Sequence, residues 1–556
     1  VDIRVAPIAS TPITAILDAA VREYPQRPAM DFLGRRTNYG ELGKLVDQAA
    51  AGFQHLGVKK GTRVGLCLPN TPYYVICYFA ALKLGAIVVN FNPLYVEREM
   101  RHQIEDSGTT LMVTLDIRQI YPKVAAALGT TCLERIIVCP MSGILTTVKS
   151  ALFTVFKRSE IVSVPDDLRH TRFEKLVAND GRYEAAAIDP VTDIAVLQYT
   201  GGTTGVPKGA MLTHANLSAN VDQLARWTPN PRPGEERMML VLPLFHVFAM
   251  TVGMNLGIAF AAELILLPRF ELEQVMKTIG KKRPTMFPGV PTIYTALVRA
   301  SEEHPVDMSS IRVCISGGAP LPLEVKKRFE GLTGCRLVEG YGLSETSPVA
   351  TCNPLDTGGK PGSVGLPLPG TVVEVYSPIA RTEKMDLGEK GEICVRGPQV
   401  MTGYWNKPKD SAAVLTDGRL RTGDIGYIDN DGYLYLVDRI KDVILCGGYN
   451  VYPRVIEEAL YQHPAVNEAV VIGVPDPYRG QAPKAFVCLR EGHRATPTEL
   501  KEFLSSYLSR IEMPKTIELR QQLPKTMVGK LSKKELIAQE QAAEHAAEQD
   551  AAASEG

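Results

Sequence analysis

The run YTGGTTGVPKGA, Tyr199 to Ala210, packs four glycines, three threonines and one lysine behind the apolar stretch 194–197. Glycines let backbone amides close on an anion and adopt positive φ, while threonine hydroxyls and the Lys208 ammonium add donors and charge. Polyphosphate binding is the chemistry these residue types suit. The spacing is not that of a P-loop, because Lys208 is followed by Gly209 rather than Ser or Thr. Taken alone, the run also fits a bare glycine-rich turn between strand and helix. The expected arrangement is strand, loop, helix. Thr213 would cap that helix, whose apolar positions Leu217, Val221 and Leu224 recur at helical spacing.

Such a loop needs a scaffold, and the surrounding sequence has the rhythm of one. Short β-branched runs (RVGLCLP at 63–69, GAIVVNF at 85–91, TTLMVTL at 109–115, RIIVCP at 135–140) alternate with segments of helical period. The rhythm resumes with IAVLQYT at 194–200, MMLVLPL at 238–244, AELILLP at 262–268 and IRVCISGG at 311–318. Strands this hydrophobic predict an α/β fold with parallel-rich sheets covered by helices. After Pro361 strands and turns dominate, predicting a β-rich subdomain over about 361–440 that completes a large N-terminal domain, 1–440. Residues 441–537 read as a smaller, mobile α+β domain, and 538–556, rich in Ala, Glu and Gln, as a frayed or disordered tail.

Composition removes several function classes. A chain of 556 residues, 45% apolar and 22% charged, is an ordinary globular protein of more than one domain. With 61 Lys plus Arg against 61 Asp plus Glu, no global field draws it to nucleic acid. Ten cysteines, none at CxxC spacing, suit reduced thiols and a cytoplasmic setting better than disulfides or a zinc site. The opening VDIRVAPIASTP does not read as a secretory signal. The longest apolar stretch, 253–267, is broken by Asn255 and Glu263 and is shorter than the roughly 20 residues of a bilayer span.

The phosphate-type run is followed by PLFHVFAM at 243–250, ISGGAPLP at 315–322, EGYGLSETSP at 339–348, TGDIGYIDNDGYL at 422–434, DRIKDVILCGGYNVYP at 438–453 and PKTMVGKL at 524–531. In this order these motifs resemble the acyl-adenylate-forming (AMP-binding) superfamily across nearly the whole chain. The texture is most similar to bacterial medium- and long-chain fatty acyl-CoA ligases. The resemblance implies ATP-dependent activation of a carboxylate to acyl-AMP with loss of pyrophosphate, then transfer to CoA, with Mg²⁺ as cofactor and ATP and CoA as co-substrates.

Residue by residue, it assigns Thr200, Gly201, Gly202, Thr203, Thr204, Gly205 and Lys208 to the β- and γ-phosphates, Glu345 to the metal and Thr346 to the nucleotide. Gly317, Gly318, Ala319 and Pro320 with Glu339, Gly340, Tyr341 and Gly342 would frame adenine, Tyr341 offering a face to stack on. Asp424 would accept from the ribose hydroxyls, with Arg439 a cation beside them. As bare residues both read as turn or surface charges. Lys530 matches the lysine that bridges carboxylate and α-phosphate, making Lys530, Glu345 and Lys208 the catalytic set, while Lys525, Lys533 and Lys534 read as solvated. Lys441 matches the hinge, and Gly447, Gly448 and Tyr449 the loop that meets CoA.

His246, Val247, Phe248, Gly318 and Gly340 are the expected acyl contacts. No acid lies between Pro243 and Met250 to pair an amino group, which argues against an amino-acid substrate, and the luciferase signature is absent. The apolar run Val247 to Phe260 suits either an acyl tunnel wall or plain core. Residues 143–158, GILTTVKSALFTVFKR, place Ile144, Val148, Leu152 and Val155 on one helical face, with Lys149, Lys157 and Arg158 as partners for lipid phosphate. That pattern suits peripheral contact with the cytoplasmic membrane face, or a helix packed on its own domain or in a homodimer interface. An aryl or 4-coumarate-type acid-CoA ligase, a fatty acyl-AMP ligase loading a carrier protein, and a non-catalytic acyl-binding relative remain open from the sequence.

Overall fold

The computed structural model describes residue 8 and residues 10–200, 207–446, 449–526 and 531–554. The chain forms two compact units, one of Val1–Val373 with Val395–Leu420, the other of Glu374–Cys394 with Arg421–Gly556.

The first unit is built on parallel-rich sheets, as the buried β-branched runs require. Its seven-stranded sheet runs in the order His170–Arg172, Arg135–Cys139, Leu111–Leu115, Arg63–Cys67, Ile87–Asn90, Ile194–Thr200, Lys208–Thr213. All neighbours are parallel except the last pair. That exception corrects one expectation. The glycine and threonine run joins two antiparallel strands, with Thr200 opposite Lys208, and the helix follows only after the second strand. Thr213 does cap that helix, His214–Trp227, sharing a capping box with Asn216, and Leu217, Val221 and Leu224 are buried.

A second sheet orders Arg237–Leu240, Glu263–Leu266, Pro28–Phe32 and Arg35–Asn38, the first three parallel. Met286 bridges it in parallel to Val313–Ser316, which pairs with Arg336–Gly342. Helix Pro72–Lys83 buries eleven of its twelve residues between these layers, and its terminal Lys83 pairs with Asp18 and Asp47. The run 249–259 is a π-turn followed by an α-turn, and every residue from Ala249 to Ile258 is buried. Gly253 and Gly257 bring it close to the sheet, since a Cβ there would lie 2.4 Å from Leu240 Cδ2 and 2.6 Å from Leu264 Cδ2. Core packing on its own sheet is therefore part of what this run does.

In the second unit residues Asp424–Ile428 of the strand Arg419–Ile428 pair antiparallel with Leu434–Arg439. A five-stranded sheet follows, in the order Tyr449–Val451, Ile444–Cys446, Gly480–Leu489, Val466–Asp476, with Thr516–Leu519 beside Gly480–Leu489. Helices Pro453–Tyr461 and Pro497–Leu504 close its core through Ile456, Leu460, Leu500 and Leu504. Where a frayed tail is expected, backbone helix runs Lys533–Ser554, but Leu536 is its last buried hydrophobic side chain among the described residues. Among the described residues no helix is long and apolar enough to cross a membrane.

Candidate active site

In the first unit the site is assembled by a segment the sequence reading passed over. Residues 401–411 lie along the strand Lys208–Thr213: Met211 N–H donates to Gly403 O at 2.9 Å, Trp405 N–H to Gly209 O at 2.8 Å, and Ala210 bridges Tyr404. The docking puts Tyr404 between the two charged motif residues. Its hydroxyl donates to Glu345 Oε1 at 2.7 Å, and Lys208 Nζ sits 5.4 Å from its ring centroid. Lys208 Nζ is also 2.6 Å from Asp410 Oδ1. Burial, then the Glu345 charge, push the Tyr404 phenol far above its ordinary range, so it remains a neutral donor. The Lys208–Asp410 pair is partly exposed, and such pairs contribute at most about 1 kcal/mol. An incoming phosphate can thus take Lys208 from Asp410 at small cost.

Glu345 lies in a single 3₁₀ turn, Ser344–Thr346. Its backbone carbonyl accepts from Met401 N–H at 2.8 Å. Thr346 is buried, and its hydroxyl is engaged by the backbone of Leu343 and Pro348 within the turn. Gly342 is required there, because a Cβ would fall 1.8 Å from Pro348 O.

The glycine motifs at 317–320 and 339–342 do meet. Ser316 is in register with Glu339, whose carboxylate accepts from Leu321 N–H at 2.9 Å and closes the turn. Gly318 takes φ +84°. A Cβ on Gly317 would lie 3.3 Å from Phe248 Cζ and 3.7 Å from Gly340 O, so Phe248, Gly317 and Gly340 share one small space. Tyr341 is only 8% exposed, leaving little ring face open for stacking. Ala319 and Pro320 sit in the turn, between Gly318 and Leu321.

His246 is half-buried, and its Nδ1 accepts from Phe248 N–H at 3.3 Å. Val247 is buried within the core cluster. The segment carrying His246 is held by amides that sequence reasoning missed. Asn70 donates to Leu242 O at 2.8 Å and accepts from Leu244 N–H at 2.8 Å. Tyr74 links Leu244 O to Asn90, Asn90 donates to Gln198, and Gln198 donates to Phe245 O at 3.0 Å. Gln198 stands two residues before Thr200, so the phosphate-type strand and the His246 segment share one network. The available signal was polar side chains inside apolar strands, which persist in cores only when hydrogen-bonded.

In the second unit Asp424 and Arg439 are cross-strand partners, with Arg439 Nε 3.1 Å from Asp424 Oδ1. The preceding Gly423 takes φ +73°. Lys441 lies in the 3₁₀ turn Ile440–Asp442. Partial burial, with Arg439 and Lys533 adding like charge, holds its ammonium below the usual range against the pull of Asp442 and Asp424. Tyr449 is exposed on the strand Tyr449–Val451.

Gly201, Gly202, Thr203, Thr204, Gly205, Gly447, Gly448 and Lys530 lie outside the described residues. Of the lysines read as solvated beside Lys530, Lys534 is exposed as expected, Lys525 is exposed but paired, and Lys533 is paired and largely buried. Lys525 bridges Leu531 and pairs with Glu468 at 2.5 Å, and Ser532 N–H donates to Pro524 O at 2.8 Å. Lys533 pairs with Glu457 at 3.2 Å. Burial raises the Glu457 carboxyl. The Lys533 ammonium, which burial alone would lower, is held up by Glu457, Asp438 and Asp442.

Helix Thr147–Phe156 leaves Val148, Leu152 and Phe156 exposed, as the amphipathic reading expects. Ile144 is instead buried in a separate 3₁₀ turn, and Lys149 Nζ donates to Leu33 O at 2.6 Å rather than standing free. The Val155 side chain lies outside the described residues.

Two family matches span most of the chain: AMP-binding enzyme over residues 17–405 and AMP-binding enzyme C-terminal domain over 455–530. The chain is 43% identical to a long-chain-fatty-acid–CoA ligase of Bacillus subtilis (strain 168), over 96% of this chain and 95% of that protein. It is 38% identical to a long-chain-fatty-acid–CoA ligase of Escherichia coli O157:H7, over 94% and 93%. Among solved structures, the anthranilate CoA ligase AuaEII in complex with anthranoyl-AMP superposes with a TM-score of 0.84 at 25% identity, covering 98% of this chain and all of that one (100%).

Proposed function

From the premise that the chain belongs to the AMP-binding enzyme family, we propose that it joins a long-chain fatty acid to CoA in two steps driven by ATP. In the first step a carboxylate oxygen attacks the α-phosphorus, the bond from that phosphorus to the bridging oxygen breaks, and pyrophosphate leaves. In the second the CoA sulfur attacks the acyl carbon, AMP leaves, and the thiol proton passes to solvent. A medium-chain acid is the nearest variant of the same reading. The observation that carries it is the placement of Lys208 and Glu345 on either side of Tyr404, within a chain whose residues 17–405 and 455–530 match the family.

The residues divide by role. Lys208, released from Asp410, would hold the departing phosphates with the Thr200–Gly205 run, and the 317–320 and 339–342 turns would frame adenine. Asp424 and Arg439 would meet the ribose, and Lys530 would offset charge between carboxylate and α-phosphate. His246, Phe248 and Gly340 would stand at the acyl end.

The residues present fit Mg²⁺. Among the described residues no group of three or more His, Cys, Asp or Glu could hold a metal alone, and Mg²⁺ typically takes one or two carboxylates plus substrate phosphates. Glu345 would hold it, and bound there the ion would neutralise developing phosphate charge.

Lys441 would be the pivot on which the small domain, 441–537, exchanges Lys530 for the Gly447–Tyr449 loop and CoA. Lys441→Pro is expected to leave fatty acid-dependent ATP–pyrophosphate exchange within about twofold while slowing thioester formation more than ~10-fold; equal loss of both rates would remove the pivot. Exposed Val148, Leu152 and Phe156, with Lys157 and Arg158, support peripheral contact with anionic membranes, tested by co-sedimentation with anionic vesicles at low salt.

The deciding experiment is mass spectrometry of products from ATP, Mg²⁺ and CoA with saturated acids from butanoate to octadecanoate, 4-coumarate and amino acids. Acyl-CoA peaking at decanoate or longer supports the reading. Acyl-AMP without acyl-CoA would move the acceptor to a carrier protein, and an aryl-CoA product would move the substrate class.

A further inference from the structure

The strands Arg237–Leu240, Glu263–Leu266 and Val313–Ser316 lead from their carboxyl ends to His246 and Gly317. At the opposite, amino ends the chain opens a cleft of about 600 Å³. The strands are four residues long, which separates the two edges by roughly 13 Å. Ligands of open α/β sheets gather at carboxyl ends. A charged cleft at the amino ends is therefore not part of the site described above.

Its charge is lopsided. Eight basic residues line it against three acidic ones. The buried carboxylates are already used: Glu236 pairs with Arg312, Glu263 with Arg36 at 2.8 Å, and Asp31, behind the wall, with Lys282 at 2.5 Å and Arg36 at 3.3 Å. These pairs fix one side of the cleft. Arg283 turns to Asp307, and Arg237 Nε to the Arg283 carbonyl at 2.7 Å. Arg27, Arg232 and Lys281 are exposed, and among the described residues their side chains have no carboxylate within ion-pair distance. Exposed Glu235, the remaining acidic residue of the lining, is too little to balance them. The protein as a whole is neutral, so this excess is local.

We propose that this cleft is a second anion site, independent of Lys208, that takes a small molecule carrying several phosphate charges. Guanidinium groups match phosphate oxygens in pairs, an ammonium adds a point charge, and the volume suits a ligand of nucleotide size. The paired side of the cleft is held in place before any ligand arrives, and the three uncompensated cations repel one another until an anion enters. Occupancy would act on the amino ends of the strands whose carboxyl ends carry His246 and Gly317.

The test is calorimetric titration of the full-length protein with tripolyphosphate in Mg²⁺-free buffer. The variants are Lys208→Ala, Arg232→Gln with Lys281→Gln, and the charge-keeping Arg232→Lys with Lys281→Arg. The expected result is a site that survives Lys208→Ala, weakens more than ~10-fold in the glutamine pair and stays within about threefold in the charge-keeping pair. Loss of all binding in Lys208→Ala, or equal affinity in the glutamine pair, overturns the proposal. Competition then identifies the source of the phosphate. Displacement by a soluble nucleoside polyphosphate supports the site, whereas displacement by phosphatidylglycerol vesicles alone, with one phosphate per headgroup, overturns a ligand of several phosphates. Displacement by neither overturns it.

Discussion

Two charged clusters, one in each unit, carry lysine and glutamate close together and use them in opposite ways. In the first, Lys208 and Glu345 flank a neutral phenol, and the lysine's counter-ion Asp410 is partly exposed. In the second, Lys533 and Glu457 neutralise each other in a mostly buried setting, with Val471 N–H donating to the same carboxylate at 2.8 Å. Charge held in a partly exposed pair is available to a substrate. Charge locked in a pair fixes the chain, here just beyond the segment bearing Lys530.

The comparison breaks most visibly at Glu345. Glu345→Gln is expected to lower fatty acid-dependent ATP–pyrophosphate exchange by ~10²–10³-fold while moving the melting temperature little, because the amide oxygen can still accept from the Tyr404 hydroxyl whereas the charge proposed to serve the metal and phosphates is lost. Loss of fold with loss of rate would make the two clusters alike. Glu457→Gln should do the reverse, costing about 3 kcal/mol in urea unfolding by leaving Lys533 without its nearest counter-charge. A variant as stable as the parent would show that the pair anchors nothing.

Acid sharpens the contrast through His214, the first residue of the helix after Lys208–Thr213. Burial pushes its imidazole down to about 4 from an ordinary 6.5, and Ile13 N–H donates to Nδ1 at 3.4 Å. The folded state keeps the neutral form, so the unfolded chain protonates first. This contribution, on the order of 2–3 kcal/mol, is complete above pH 6.5 and is lost as the pH falls toward 4. Urea midpoints across that window should be flatter in His214→Gln than in the parent; identical slopes would place the acid response elsewhere. The smallest effect is expected at Tyr404. Removing its hydroxyl in Tyr404→Phe should cost about 1 kcal/mol of adenylation barrier, under ~10-fold in rate, since Glu345 keeps its place through the Met401 N–H bond. A ~100-fold loss would make the phenol a full partner of the carboxylate.

Much of this was legible in the residues. The buried β-branched runs are strands of parallel-rich sheets, Thr213 caps its helix, and the motif order predicts the family, whereas the glycine that meets Phe248 is Gly317, which the sequence reading places at adenine. What stayed hidden depends on contacts distant in sequence. Asp410 stands 202 residues from Lys208 and Tyr404 59 from Glu345, and neither lies in a quoted motif. The hairpin after Thr200 was missed because KGAMLT has strand composition but reads equally as the approach to a helix. Lys533 looked solvated because nothing local announces Glu457, 76 residues earlier in the chain, as its partner. Lys149 likewise looked free, although its acceptor is the Leu33 carbonyl.

The central claim is that a fatty carboxylate attacks the α-phosphorus of ATP at the Lys208–Glu345 cluster. It is tested most directly by supplying hexadecanoate labelled with heavy oxygen in its carboxylate, together with ATP, Mg²⁺ and CoA, and weighing the AMP released. The account predicts one labelled oxygen in each AMP and none in pyrophosphate. Unlabelled AMP, or label appearing in inorganic phosphate beside ADP, would contradict it.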